Sequence, residues 1–339
     1  MKPLVKPKAT WKVTLDGKDM TGGLSPRLVS LTLAEKRTDA ADQLDIVITD
    51  HDGKMVLPRK GVILNVSLGW EQGHGLPSGL VDKGSFRVDE IKHSGPPDII
   101  TITARSANFT SDLRIRRGRS FVGQTLGHVI GIIAADNGLK ARVDPTLAGK
   151  TIPALGHTHK SDAALLQALG KRFDAVSTVK AGFLLFAPIG SGKTATGKTI
   201  PTVTIDRADL ANGAHNYGTE DRGQYGGCEA VWHDKASAAD HTVTAGGGTG
   251  KPKRLRRTYH TEADARHAAE AENTRIGRGK AVMDFTLPIG RPDYFPDVPV
   301  KLTGWKAEII AHDYVIEEIS HTMDDSGGLT SKLKLEAKS

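Results

Sequence analysis

The segment Phe86-Arg87-Val88-Asp89-Glu90-Ile91-Lys92-His93 occurs a second time in altered form, as Tyr314-Val315-Ile316-Glu317-Glu318-Ile319-Ser320-His321. Glu, Ile and His recur unchanged, while aromatic, branched and acidic positions recur in kind. Upstream of the first copy stands Val66-Ser67-Leu68-Gly69-Trp70, and upstream of the second Val300-Lys301-Leu302-Thr303-Gly304-Trp305, with one residue inserted. Strand-forming sequence draws on few residue types, so one such match would mean little. Two matches in the same order, each running on into a Gly-containing turn and an alternating apolar strand, predict a duplicated β-domain. Trp70 and Trp305 are then the expected equivalent anchors of the two cores.

At 339 residues the chain is long enough for about two or three domains. In the first, Trp11, Val13 and Leu15 alternate ahead of an Asp16-Gly17 turn. Val29, Leu31 and Leu33 alternate next, then Leu44, Ile46 and Ile48, as the strands of a meander. Val62, Leu64, Val66, Leu68 and Trp70 share one face, and Ile100, Ile102 and Ala104 follow the repeat strand. Residues 1–118 therefore predict a first antiparallel β-barrel. The period then lengthens to helical spacing. Ser120 is the expected cap of a helix carrying Leu126, Val129, Ile130 and Ile133, and Ser161 that of another with Leu165, Leu166, Leu169 and Phe173. With a strand at Phe183 to Phe186, residues 119–187 predict a small α+β unit. Strands resume through Val203, Ile205, Cys228, Ala230 and Trp232, and again through Ala281, Met283, Phe285 and Leu287. Residues 188–339 thus predict a second β-barrel, with a surface helix over 261–276 capped by Thr261.

Candidate sites are few. Gly192-Lys193-Thr194-Ala195-Thr196-Gly197-Lys198-Thr199 spells the phosphate-binding pattern G-x-x-x-x-G-K-[ST], which would make the chain a nucleotide-binding protein. That chemistry needs a helix opening at Lys198-Thr199 so that its amides meet phosphate. Pro201 and alternating Val203 and Ile205 predict a strand there instead, so the stretch reads as a polar hairpin loop. The net charge of +7 and the clusters Arg114-Ile115-Arg116-Arg117-Gly118-Arg119 and Lys251-Pro252-Lys253-Arg254-Leu255-Arg256-Arg257 raise a nucleic-acid reading, with no nucleic-acid module around them. His157-Thr158-His159 offers two imidazoles and lacks a nearby third ligand. Asp89-Glu90 and Glu317-Glu318 are expected to split across their sheets, since strand neighbours point to opposite faces. His93 and His321 are expected at the surface or an interface. The single cysteine, Cys228, cannot form an internal disulfide and is expected in a buried strand. No catalytic, cofactor-binding or metal-ligating residue is assigned. No apolar run nears the ~20 residues of a membrane helix, and the N-terminus lacks the apolar core of a signal peptide, so cytoplasmic synthesis is expected.

The run from Phe86 to Asp98, continuing into Ile102-Thr103-Ala104-Arg105-Ser106-Ala107, resembles the phage late control protein D family of tail hub proteins. Ala187-Pro188-Ile189-Gly190-Ser191-Gly192-Lys193, Val203-Thr204-Ile205-Asp206-Arg207-Ala208-Asp209 and the ending from Ile319 extend the resemblance to most of the chain. It implies the fold shared with the amino-terminal part of the type VI secretion spike protein VgrG: mainly β, with two similar antiparallel barrels and α+β insertions, forming a pseudo-sixfold ring as a homotrimer. It further implies a non-enzymatic baseplate hub of a contractile tail or tail-derived particle, assembled in the bacterial cytoplasm. The partners implied are a separate tail spike protein, the tail tube, other baseplate proteins and the tape-measure protein, with no membrane and with DNA only in transit through the channel.

Overall fold

The structure, a computed structural model, describes residues 6–37, 41–73, 75–106, 111–158, 160–180, 182–219, 225–278, 280–324 and 328–338. The first half contributes β1 (Lys8–Leu15), β2 (Lys18–Asp19), β3 (Leu28–Lys36), β4 (Gln43–Thr49), β5 (Ile63–Gln72), β6 (Gly79–Ser94) and β7 (Ile99–Ser106). Then come β8 (Arg119–Thr125), α1 (Leu126–Asp136), β9 (Lys140–Val143), β10 (Thr151–Thr158), α2 (Asp162–Phe173), β11 (Ala175–Lys180) and β12 (Phe183–Pro188). The second half holds β13 (Val203–Asp206), β14 (His215–Thr219), β15 (Tyr225–Asp234), β16 (Ala239–Ala245), β17 (Lys251–Tyr259) and α3 (Glu262–Gly277). It ends in β18 (Ala281–Leu287), β19 (Pro299–Thr303), β20 (Tyr314–Asp324) and β21 (Gly328–Ala337). Helical turns of four residues or fewer stay unlabelled.

The two octapeptides occupy matching places, β6 and β20. Each pairs on one side with the next strand, β7 or β21, and on the other with the preceding one, β5 or β19. Both carry the same irregularity at the same point: the ladder slips between Val88 and Glu90 in one, and between Ile316 and Glu318 in the other. The preceding turns match too. Gly61 N donates to Val88 O at 2.9 Å, and Asp297 N to Ile316 O at 2.9 Å, with Gly61 and Asp297 both left-handed (φ +89° and +71°). Register extends the correspondence outward. Leu44 faces Ala104 as Met283 faces Leu335, and Leu33 faces Leu44 as Tyr217 faces Met283. Thus β3-β4-β7-β6-β5 is repeated as β14-β18-β21-β20-β19.

The halves are also fused, which the repeat did not foretell. β3 pairs with β20, so a single 13-stranded sheet runs from β14 through both halves to β2, with β13 joined to β19 in parallel. Met323 and Leu329 of the second half lie in the first core, beside Leu31, Leu33 and Trp70. The second core gathers Met283, Phe285, Trp305, Tyr314, Leu333 and Leu335. Trp70 and Trp305 are both buried, but register denies them equivalence. Leu64 faces Phe86 as Val300 faces Tyr314, and β19 stops at Thr303, level with Ser67. No position on β19 reaches that of Trp70, which instead donates from Nε1 to Gly290 O at 2.9 Å, across the join.

The intervening α+β segment builds its own core from Leu126, Ile130, Leu166, Phe173 and Phe186, between β8-β10 and β11-β12-β9. Ser161 caps α2 as expected, whereas α1 is capped by Thr125, whose hydroxyl accepts from His128 N. Ser120 lies inside β8, because Phe121 and Val122 pair with Leu155 and Ala154 of β10. The helix expected over 261–276 begins as predicted at the Thr261 cap. Its alanine face covers not the second barrel's core but a separate three-stranded sheet, β16-β15-β17, inserted between β14 and β18.

Candidate functional site

Where β3 meets β20, polar side chains from both halves are buried together. Lys83 reaches this place because it is the extra residue of a bulge in β6, between Gly84 opposite Val66 and Asp82 opposite Ser67. Such a bulge re-aims its side chain. Its Nζ lies 2.5 Å from Glu35 Oε2 and 3.2 Å from Tyr294 O. Arg291 N donates to Ser331 Oγ at 2.9 Å, and Ser331 Oγ lies 2.8 Å from His321 Nδ1. The direction of that bond follows the tautomer of the ring, whose other nitrogen is Nε2. That Nε2 faces Glu35 Oε2 at 3.4 Å. Burial alone would raise the Glu35 carboxyl, yet His321 and Lys83 outweigh it and hold it at about 2. Burial pushes both His321 and Lys83 down, with Glu35 opposing. His321 is thus fully buried rather than at a surface, because β3 covers the strand edge on which it sits.

A second charged junction ties three parts of the chain. Arg37, just past β3, pairs with Glu336 at 2.6 Å and Asp297 at 3.5 Å, and Arg278 bridges Glu336 to Asp174, the left-handed residue ending α2. Arg37, Asp174, Arg278 and Glu336 border a cavity of about 400 Å³ also lined by Gln167, Thr178 and Arg275. Burial pushes the Asp297 carboxyl up to about 6, against the pull of Arg37. Both junctions bind segments far apart in sequence, which fits a structural rather than a chemical task. No local motif announces either.

The acidic pairs depart from the alternation expected of them. Because the ladders slip at Asp89 and Glu317, both members of each pair lie outward: Asp89 on Arg105 at 3.1 Å, Glu90 on Lys92 at 3.3 Å, Glu317 on Lys334 at 3.0 Å and Glu318 on Lys36 at 3.3 Å. A bulge places two residues against one and resets the phase of every later residue. His93, the counterpart of His321, is exposed, with 44% of its side chain open.

No family model matches the sequence. A "Probable baseplate hub protein" of Escherichia phage P2 is 36% identical over 97% of this chain and 93% of that one, and its namesake from Escherichia phage 186 is 36% identical over 96% and 92%. This chain belongs to the phage baseplate hub protein family. The hub protein's fold recurs in a tail protein from Neisseria meningitidis, with a TM-score of 0.69 and 11% identity over 97% of this chain and 96% of that one. It recurs also in an E. coli component of the type VI secretion system, c3393, with a TM-score of 0.52 and 12% identity over 92% and 74%.

The remaining candidates fall into place within the hub protein. Gly192–Thr199 is a closed loop: Lys193 bridges Thr199, Thr194 N donates to Lys198 O at 2.8 Å, and Lys198 N donates to Thr194 Oγ1 at 3.1 Å. Its amides are turned on the loop itself, β13 follows, and the nucleotide reading is not supported. In the Arg-rich run, Arg119 is held by Asp162 and Asp136 at 2.6 and 2.8 Å, and Lys253 of the second basic run by Glu272 at 2.6 Å. These cations brace the fold, and the nucleic-acid reading is not supported either. Cys228 is buried in β15, where burial pushes its thiol up to about 11. The side chains of His157, Thr158 and His159 lie outside the described residues. The hub protein is a structural component of the tail baseplate and not an enzyme.

Proposed function

We propose that the hub protein works as a homotrimer that adapts a sixfold tail tube to a threefold central spike. The observation carrying this reading is the strand-for-strand repetition of β3-β4-β7-β6-β5 as β14-β18-β21-β20-β19. Three copies of a chain with two such halves offer six near-equivalent faces to one neighbour and three identical ones to another. Symmetry mismatch is then resolved within the chain. The divergence of the halves, including the β15–β17 insertion found in the second alone, gives the other side its threefold character. The functional units are residues 1–118, 119–187 and 188–339. Partners are a separate spike protein, the tube, neighbouring baseplate proteins and the tape-measure protein, assembled in the host cytoplasm, with DNA passing through the channel only in transit.

Electron microscopy with class averaging on the protein co-expressed with its spike and tube proteins tests the reading. A threefold ring with six similar lobes is the expected result. A monodisperse monomer that joins neither partner would overturn it.

A further inference from the structure

Each half owns the same two strand edges, and only one complementary pair of edges is used within the chain. In the second half, β20 offers the edge from Glu318 to Asp324, and β3 of the first half occupies it. The counterpart of that edge in the first half is the end of β6, Glu90 to Ser94, and the counterpart of β3 in the second half is β14. Among the described residues neither edge carries a partner strand, and β14 ends the sheet. We infer that β14 of one copy pairs antiparallel with the Glu90–Ser94 edge of β6 in a second copy, in the register that β3 keeps with β20.

The register is specific. Leu33 faces His321 and Thr32 faces Thr322 in the joint within the chain. Exchanging each residue for its counterpart puts Tyr217 opposite His93, Asn216 opposite Ser94, and Gly218 opposite Lys92. Arg37 N donates to Glu317 O at 3.2 Å, which sets the phase: every second residue of β3, hence Glu35 and Leu33, turns its backbone groups toward β20. Among the described residues no strand meets the N–H and C=O groups of their counterparts, Thr219 and Tyr217, at the edge of β14, and in this register those groups face Ile91 and His93. Such an edge is a template for another strand. Side chains agree with this. Ile91 packs half-buried on the first core and Tyr217 on the second, so pairing continues one apolar face across the joint. His93 is open to solvent where its counterpart is wholly covered by β3, which is the difference expected between an empty and a filled joint. The contact joins unlike surfaces, so it generates a ring when the rotation closes. The inference rests on the homotrimer reading above and names the surface that makes it.

The experiment uses the full chain carrying Ser94→Cys and Asn216→Cys, both at exposed positions, with the native Cys228 buried. As a non-hydrogen-bonded pair their Cα atoms would lie about 4.5 Å apart, within disulfide reach. Their counterparts, Thr32 and Thr322, have hydroxyls 3.4 Å apart, so Thr32→Cys with Thr322→Cys closes within one chain and calibrates the oxidation. The expected product of S94C/N216C is a covalent trimer on a non-reducing gel. Shifting one partner to Gly218→Cys sets the Cα atoms about 7–8 Å apart and slows cross-linking at least about tenfold. A native trimer by mass spectrometry in which S94C/N216C links no faster than S94C/G218C overturns the edge pairing and leaves the trimer standing. A native mass of one chain, even with spike and tube proteins co-expressed, removes the trimer and the pairing with it.

Discussion

Asp297 and Glu35 respond to pH with opposite signs. Asp297 has its carboxyl raised to about 6 by burial, above its ordinary value of 3.8. The stability linked to its proton is therefore fully present below the ordinary value and lost as pH rises through about 6. Asp297→Asn keeps a residue that tolerates the left-handed backbone and removes the buried charge. It is expected to stabilise the protein near pH 7 by about 1–3 kcal/mol, the gain fading toward pH ~4. Thermal melts across that range would show it, and an unchanged difference between variant and parent at all pH values would contradict the assignment. Glu35 is held down at about 2 despite burial, so its contribution is present above the ordinary 4.5 and lost as pH falls toward 2. Its partner Lys83 is equally buried. Lys83→Met alone strands a charge and should cost about 3–5 kcal/mol in urea denaturation, while adding Glu35→Gln should recover most of that loss. A double variant no better than the single one would argue against the pair as the source.

The repeated bulge is the element that most changes what the strands present. Alternation is legible over Phe86 to Val88 and over Tyr314 to Ile316, and the slip that follows depends on the facing strands, β7 and β21. For that reason the exposure of both acidic residues in each pair could not be read from spacing alone. The start of α1 teaches a similar lesson. Ser120 and Thr125 both suit a cap, and pairing of β8 with β10 selects the second. Thr125→Ala should cost about 1 kcal/mol and Ser120→Ala close to nothing, measured by chemical denaturation. Equal losses would mean that the cap had been misplaced. Ser161 and Thr261 were legible because nothing upstream competes for their residues.

At the scale of the molecule, the two halves are one sheet. Residues 1–118 expressed alone would lose Met323 and Leu329 from the first core and bare the full edge of β3. Such a fragment is expected to aggregate or to show no cooperative unfolding by circular dichroism, whereas two independent barrels would each melt cleanly. The strand and helix periods, the second copy of the strand, the family and the emptiness of the phosphate-loop spelling are all legible along the chain. Each of these is written in local spacing or in residues that stand together along the chain. Long-range pairing settles that the halves join through β3 and β20, that His321 is buried while His93 is open, and that Trp70 and Trp305 are not equivalent. Those outcomes depend on which strand covers which edge, and that choice is made between residues hundreds of positions apart.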